Sequence, residues 1–387
     1  MRIGIDNVSP GESTGTAGPG GMRDYLQSLL AGLSAAAPQH EFVLFTPAWA
    51  DPLLDAYPEN VRVVQATGVP VRRSLRALYQ QTGLPAAIAA ERLDVFFAPA
   101  TIAPLPGRTP IVLSVQFLQF YTMPQAYGRA RTAYLKLLLP LSLRRARQAI
   151  IFTEHAKLDL IQFTHTAPEK VIVIPHGLSS EVWAAARAAS APMPGPIEGR
   201  VGLELTGGRP YILYVSATYG YKNHLRLIRA FAALKRRTGL PHVLLLIGSE
   251  VHVSYAALRA EAEQTGVARD VIIAGRLEKA IPLYLDASLA AIPTLYETFG
   301  FPVLEAMATG CPVVTSNQGS MAELAGDAAV LVDPLDEVAL ADGMRRALTD
   351  EPLRRQLVAR GRERAKGYTW QRAAAHTLGV LEAVARP

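Results

Sequence analysis

The stretch Ala290-Ala-Ile-Pro-Thr-Leu-Tyr-Glu297-Thr-Phe-Gly-Phe-Pro-Val-Leu-Glu305-Ala-Met-Ala-Thr-Gly310 decides how the rest of the chain is read. Ala290–Pro293 is short and apolar, the pattern of a strand buried on both faces. A loop carrying Glu297 follows. Pro302 suits the first turn of a helix, where the N–H it lacks has no intrahelical partner. Small residues continue that helix and Gly310 ends it. A strand–loop–helix unit of this kind builds a parallel sheet covered on both faces, and ligands of such sheets bind beyond the carboxyl ends of the strands. Phe299, Gly300 and Phe301 then present backbone amides at a helix start, a place that favours anions. Glu297, in the loop, can reach a sugar hydroxyl. Glu305, about one turn inside, can accept the paired hydrogen bonds of a ribose diol. The arrangement suits a phosphorylated sugar. Either acid also fits a cap or a surface charge, since an acid near a helix start favours the dipole with no ligand present.

Working outward, short β-branched or apolar runs alternate with amphipathic stretches along the whole chain. Strands are expected at Arg2–Ile5, Glu41–Phe45, Val61–Val64, Val95–Ala98, Ile111–Ser114, Ala149–Phe152 and Val171–Ile174. After a break they resume at Tyr211–Ser216, Val243–Ile247, Val271–Ala274, Ala290–Pro293, Val313–Ser316 and Val330–Val332. The break, residues 184–208, is rich in Ala, Pro and Gly and predicts a linker near residues 178–210. The chain therefore reads as α/β, with two doubly wound domains, residues 1–180 and 181–367. A separate last helix carries Trp370 within residues 368–387.

At 387 residues, half of them hydrophobic, two domains with sizeable cores are expected. No apolar stretch reaches the ~18–20 residues of a membrane-spanning helix. The chain starts directly on a strand without a signal-peptide layout, which points to the cytoplasm. The single cysteine, Cys311, leaves no internal disulfide and no cysteine metal site, and it reads as a small core residue. No Asp-x-Asp metal motif occurs, so neither metal nor cofactor is expected. The net charge of +6 is uneven. No acid lies between Glu59 and Glu91, where Arg62, Arg72, Arg73 and Arg76 fall. None lies between Asp94 and Glu154, a span with Arg108, Arg129, Arg131, Lys136, Arg144, Arg145 and Arg147. Interleaved aromatics on a regular platform are missing, which argues against nucleic acid. Leu135, Leu137 and Leu138 accompany the charges, so peripheral contact with an anionic membrane, at its inner face, or with a lipid-phosphate acceptor fits better. A solvated helix face fits too.

Other loops also follow strands. Ser9 to Gly21 is glycine-rich and leads into a helix, but its spacing is not a dinucleotide fingerprint. After Tyr211–Ser216 comes Ala-Thr-Tyr-Gly-Tyr-Lys222-Asn-His, where Lys222 stands at a strand–helix turn suited to a phosphate. Asn223 is expected to cap the helix that follows. Gly275-Arg276-Leu277-Glu278 follows the next-but-one strand. Ser320 and Glu323 have the spacing of a capping box. His176, in Ile174-Pro-His-Gly177, reads as a hydrogen-bonded turn residue.

Several of these loops coincide with one family. The chain resembles the retaining glycosyltransferases of family 4, through Glu297-Thr-Phe-Gly-Phe-Pro-Val-Leu-Glu305-Ala-Met-Ala-Thr-Gly-Cys-Pro-Val-Val, Tyr214-Val-Ser-Ala-Thr-Tyr-Gly-Tyr-Lys-Asn-His, Ile174-Pro-His-Gly and Gly326-Asp-Ala-Ala-Val-Leu-Val-Asp-Pro334. The resemblance implies the GT-B fold, two Rossmann-like domains facing across a cleft, with the last helix crossing back to the first domain. It implies a nucleotide-sugar donor, GDP- or UDP-linked, held mainly by the second domain, and a saccharide or lipid-linked acceptor on the first. By that likeness Lys222 meets the diphosphate, Glu305 the ribose and Glu297 the donor sugar. Phe299, Gly300 and Phe301 supply backbone contacts, Arg276 and Leu277 lie beside the base, and Gly20 and Gly21 sit near the diphosphate and acceptor. Ser216 stands where a Gly is common, and Tyr221 where many members carry an Arg. Val115-Gln116-Phe117 replaces a common His-Asp; Gln116 can hydrogen-bond a donor-sugar hydroxyl but cannot act as acid or base. The implied reaction is metal-independent hexosyl transfer, of mannose or glucose type, in polysaccharide or envelope glycan synthesis. An epimerase-like enzyme using nucleotide sugars and a two-lobed binding protein remain as alternatives.

Overall fold

The computed structural model describes residues 1–9, 21–189 and 200–386. Among them are thirteen strands, each at a position expected from the sequence, with ends shifted by no more than two residues. They form two all-parallel sheets. The first holds β1 (Arg2–Asp6), β2 (Glu41–Pro47), β3 (Val61–Ala66), β4 (Val95–Ala98), β5 (Ile111–Ser114), β6 (Gln148–Ile151) and β7 (Val171–Val173), in the order β3-β2-β1-β4-β5-β6-β7. The second holds β8 (Tyr211–Val215), β9 (Val243–Ile247), β10 (Val271–Gly275), β11 (Leu289–Ile292), β12 (Val313–Ser316) and β13 (Val330–Val332), in the order β10-β9-β8-β11-β12-β13. Both orders run outward from the first strand, return and continue on its other side. This is the Rossmann pattern. Central strands such as β4, β9 and β11 are buried throughout, which explains their unbroken apolar runs. The edge strand β3 mixes buried and exposed positions.

The chain divides into two compact units, Met1–Gly177 with Thr369–Pro387, and Leu178–Tyr368. The change of unit thus comes at the start of the expected linker. Within that linker the chain is not bare coil: helices Ser180–Ala188 and Val201–Leu205 lie on either side of residues 190–199, which fall outside the described residues. Arg200 pairs with Asp286 at 2.5 Å, and the missing side chain of Gly202 makes room for the Tyr211 ring. Both contacts fasten this segment to the second unit.

The last helix, Trp370–Ala385, is capped by Thr369, whose Oγ1 accepts from the Arg372 N–H at 3.3 Å. It packs in the first unit against helix Gly21–Ala36. Gly32 permits the approach: a Cβ there would stand 2.7 Å from the Cβ of Ala374. At Gly177 a Cβ would overlap the backbone nitrogen of Trp370. Beside it the buried His176 ring lies among Tyr25, Phe152 and Trp370, at centroid distances of 4.8, 3.7 and 5.7 Å. His176 is therefore a core residue of the first unit, and Trp370 packs against it.

The basic run of the first unit is partly consumed inside it. Arg62 pairs with Glu41 and Glu91. Arg76 is 6% exposed and lies over the Trp49 ring at 5.3 Å. Arg145 donates to the carbonyls of Leu105, Gly107 and Thr109. Arg129, Arg131, Lys136, Arg144 and Arg147 are exposed, together with Leu137. Among the described residues no helix is long and apolar enough to cross a membrane.

Candidate functional site

In the second sheet β8 and β11 are neighbours, and the strand order departs from them in opposite directions. The loops leaving their carboxyl ends cannot both turn the same way, and a crevice opens between them. These two loops carry Lys222 and Glu297. Four hydrogen bonds fix the crevice. Leu295 N–H and Thr294 Oγ1 donate to the Tyr221 carbonyl at 2.8 and 3.2 Å. Tyr214 hydroxyl donates to the Lys222 carbonyl at 2.9 Å, and Asn223 Nδ2 to the Pro293 carbonyl at 3.0 Å. Within this frame Lys222 Nζ and Glu297 Oε1 form an ion pair, their side chains only 17% and 14% exposed. Tyr221 stacks on Tyr219 at 5.3 Å, and Lys222 Nζ lies 5.6 Å from the Tyr221 ring centre.

Asn223 acts differently from the sequence expectation. It is left-handed, at φ 66°, and its side chain makes no cap bond. Instead Nδ2 also donates to the Pro334 carbonyl at 2.7 Å, while Oδ1 accepts from Arg226 at 2.6 Å. The residue ties three loops together rather than capping helix His224–Thr238. The expected capping box fails as well. Helix Gly319–Ala325 starts after Gln318, which places Ser320 inside it.

Helix Phe301–Thr309 opens at Gly300 with Pro302 in its first turn and closes at the left-handed Gly310, φ 81°. A side chain at Gly300 would overlap Met321, so the glycine lets the loop settle on its neighbour helix. Phe299 is buried and Phe301 half-buried, their rings 5.0 Å apart. Glu305, half-buried, accepts from the Tyr284 hydroxyl at 3.3 Å through Oε2. Ser216 follows β8, and its hydroxyl donates to the Ala217 carbonyl at 3.1 Å. Gly248, at φ +146°, closes against the Ser216 carbonyl with no room for a Cβ. Arg276 is exposed and Leu277 half-buried, directly after β10. Lys222, Glu297, Glu305, Phe299, Gly300, Phe301, Ser216, Arg276 and Leu277 thus all lie in the second unit, in or beyond segments that leave the carboxyl ends of its strands.

Three expected residues lie elsewhere. Gln116 is in the first unit, with Nε2 donating to Ser114 Oγ at 2.9 Å and its own N–H to Thr101 Oγ1 at 3.0 Å. Gly21 begins the helix Gly21–Ala36, and Gly20 falls outside the described residues. Two site features escaped sequence reasoning. One is the Tyr284 contact with Glu305, made across 21 residues of chain. The other is His224, buried at 2% exposure against the Tyr214 ring, 4.8 Å away.

Two buried histidines set the response to acid. Burial holds His176 down to about 3; burial and then the Lys222 charge hold His224 down to about 4. An unfolded chain protonates these rings near ~6.5, so it binds more protons than the folded state between there and pH 4. Stability is therefore full above that range and falls as pH drops through it, by about 1.4 kcal/mol per pH unit for each ring. Urea midpoints measured from pH 7 to 4.5 should fall in the second unit, and less steeply in the first, where burial holds the Asp6 carboxyl above its ordinary range and its protonation offsets part of the loss. A flat profile in the second unit would mean that the His224 ring is charged in the folded state.

Comparison with known proteins identifies the family. The Glycosyltransferase Family 4 profile matches residues 19–182, and the Glycosyl transferases group 1 profile matches residues 198–364. The O-antigen chain mannosyltransferase B of Escherichia coli is 26% identical over 266 residues, 68% of this chain and 68% of that protein. The MMP alpha-(1->4)-mannosyltransferase of Mycolicibacterium hassiacum is 30% identical over 250 residues, 63% of this chain and 56% of that one. Among solved structures, sucrose-phosphate synthase from Thermosynechococcus elongatus superposes with a TM-score of 0.75 at 22% identity, covering 99% of both chains. With a Rossmann-ordered sheet in each unit and both family profiles matched in turn, the chain belongs to the family 4, group 1 glycosyltransferases of GT-B fold.

Proposed function

We propose that this glycosyltransferase moves a hexose, of mannose or glucose type, from a nucleotide-diphosphate sugar to a saccharide or lipid-linked acceptor. Configuration at the anomeric carbon is retained, and no protein-bound metal takes part. The Lys222–Glu297 ion pair at the sheet's switch point carries the proposal. A lone half-buried lysine would favour any anion; one already balanced by a carboxylate favours an anion that brings more charge than it displaces. A diphosphate does so. Once it takes Lys222, Glu297 is released to accept a hydroxyl of the donor sugar. Glu305 takes the ribose, and the start of helix Phe301–Thr309 adds its dipole to the phosphate side. The names of the two mannosyltransferase relatives support the hexose.

In the proposed step the acceptor oxygen bonds to the anomeric carbon on the face from which the diphosphate leaves. The bond from that carbon to the diphosphate oxygen breaks, and the acceptor proton passes to that oxygen. Lys222 and the helix start stabilise the charge that develops there. Gln116, lacking a titratable group, serves only to hydrogen-bond. The exposed Arg129, Arg131, Lys136, Arg144 and Arg147 suit an acceptor bearing a lipid phosphate, or the anionic surface that holds it.

A thermal-shift screen of GDP- and UDP-sugars tests the donor class. The matching base should stabilise the second unit by about 2.7 kcal/mol at a hundredfold excess over Kd. Adding saccharide acceptors should then release nucleoside diphosphate, at a rate that EDTA leaves within about twofold. Epimerised donor without nucleotide release would favour the epimerase-like alternative. Binding without turnover would favour a capture protein, and a large EDTA effect would reject metal independence.

A further inference from the structure

We propose that Tyr284 is a positioning residue for the donor: its hydroxyl holds the Glu305 carboxylate in the orientation that receives the ribose. The inference rests on the assignment of Glu305 to the ribose and adds a residue that touches neither sugar nor phosphate.

Tyr284 lies in the helical turn Leu283–Asp286, ahead of β11, with 1% of its surface exposed. A phenol taken out of water needs a hydrogen-bond partner. The hydroxyl finds Glu305 Oε2 at 3.3 Å. Burial, and then the neighbouring Glu305 charge, push its pKa well above the ordinary tyrosine range, so the hydroxyl keeps its proton and acts as the donor to the carboxylate. The turn that carries it is itself fixed, because the Tyr211 hydroxyl donates to the Leu283 carbonyl at 2.6 Å. Tyr211 is fully buried within β8. A chain of two buried tyrosines therefore runs from the sheet to the carboxylate.

Glutamate has three side-chain torsions, and on a helix its carboxylate ordinarily sweeps a wide arc. A diol gains from a carboxylate only when both hydroxyls meet it at once, so orientation held before binding is repaid on binding. A hydrogen bond to Oε2 narrows that sweep, and a carboxylate, with about four lone-pair sites, can accept further bonds beside it. Phenylalanine at 284 keeps the ring and its packing and deletes only that hydrogen bond.

The test titrates UDP and GDP, and then the 2′-deoxyribose form of whichever binds more tightly, into wild type, Tyr284→Phe, Glu305→Gln and the double variant. Tyr284→Phe should weaken the ribonucleotide about three- to tenfold, the worth of one hydrogen bond, and leave the 2′-deoxy form unchanged. In the Glu305→Gln background the same change should have no effect. Equal loss for both nucleotides, or no loss for either, would overturn the positioning role while leaving Glu305 in place if Glu305→Gln still erases the ribose preference. Absence of any ribose preference in wild type would overturn the Glu305 assignment, and the proposal with it. The melting temperature of Tyr284→Phe, measured in the same buffer, reports any loss of fold, which would weaken both nucleotides alike.

Discussion

Lys222→Ala should lower kcat by about 10²-fold or more at saturating donor, the usual effect of removing one preorganised donor from a developing oxyanion. The expectation follows from where the charge sits. Lys222 is 17% exposed, in a crevice pinned by hydrogen bonds to the Tyr221, Lys222 and Pro293 carbonyls, so it needs little rearrangement to meet a diphosphate. The substitution also removes the positive charge that balances Glu297. That second effect would mimic a catalytic loss by repelling the donor. The double variant Lys222→Ala, Glu297→Gln separates the two. If leaving-group stabilisation dominates, the double variant stays as slow as the single one in kcat, and only its donor KM improves. Near-normal turnover in either protein would remove Lys222 from the chemistry.

Gly177→Ala should destabilise the first unit by roughly 3 kcal/mol or more, because the added methyl must displace backbone rather than a side chain. Its Cβ would fall on the Trp370 nitrogen and the Thr369 carbonyl carbon, where the chain re-enters the first unit. Neither can rotate away, since Thr369 caps helix Trp370–Ala385 and Trp370 packs on Tyr25 and His176. The same substitution at Gly379, within that helix, meets nothing within 4 Å. There it should stabilise by up to about 1 kcal/mol through helix propensity alone. Urea denaturation of the two variants supplies the comparison. Equal midpoints would show that the close approach at Gly177 relaxes without penalty.

Strands were legible in the sequence because both sheets are parallel and covered on both faces. Runs such as Val243–Ile247 carry no polar residue to blur their ends. The Lys222 and Glu297 loops were legible for a related reason: each follows such a strand, and topology alone makes them neighbours. What stayed hidden was how individual side chains are spent. Asn223 has the composition of a helix cap, yet its left-handed backbone turns the amide toward Pro293 and Pro334, contacts that no local pattern encodes. Arg76 and Arg145 looked like part of a basic surface, and burial against Trp49 and three carbonyls took them out of it. Tyr284 carried no sequence signal at all, because its partner lies on another helix.

The first unit is closed by the segment Thr369–Pro387, and the second unit lies between. On the ribosome this reverses the usual order, in which the amino-terminal domain folds first. The second unit is continuous and can complete its core while the first still waits for the helix that covers Gly32 and the His176 ring. Until Trp370 emerges, that apolar face of helix Gly21–Ala36 stays uncovered through the whole synthesis of the second unit, and exposed apolar surface of this kind favours aggregation.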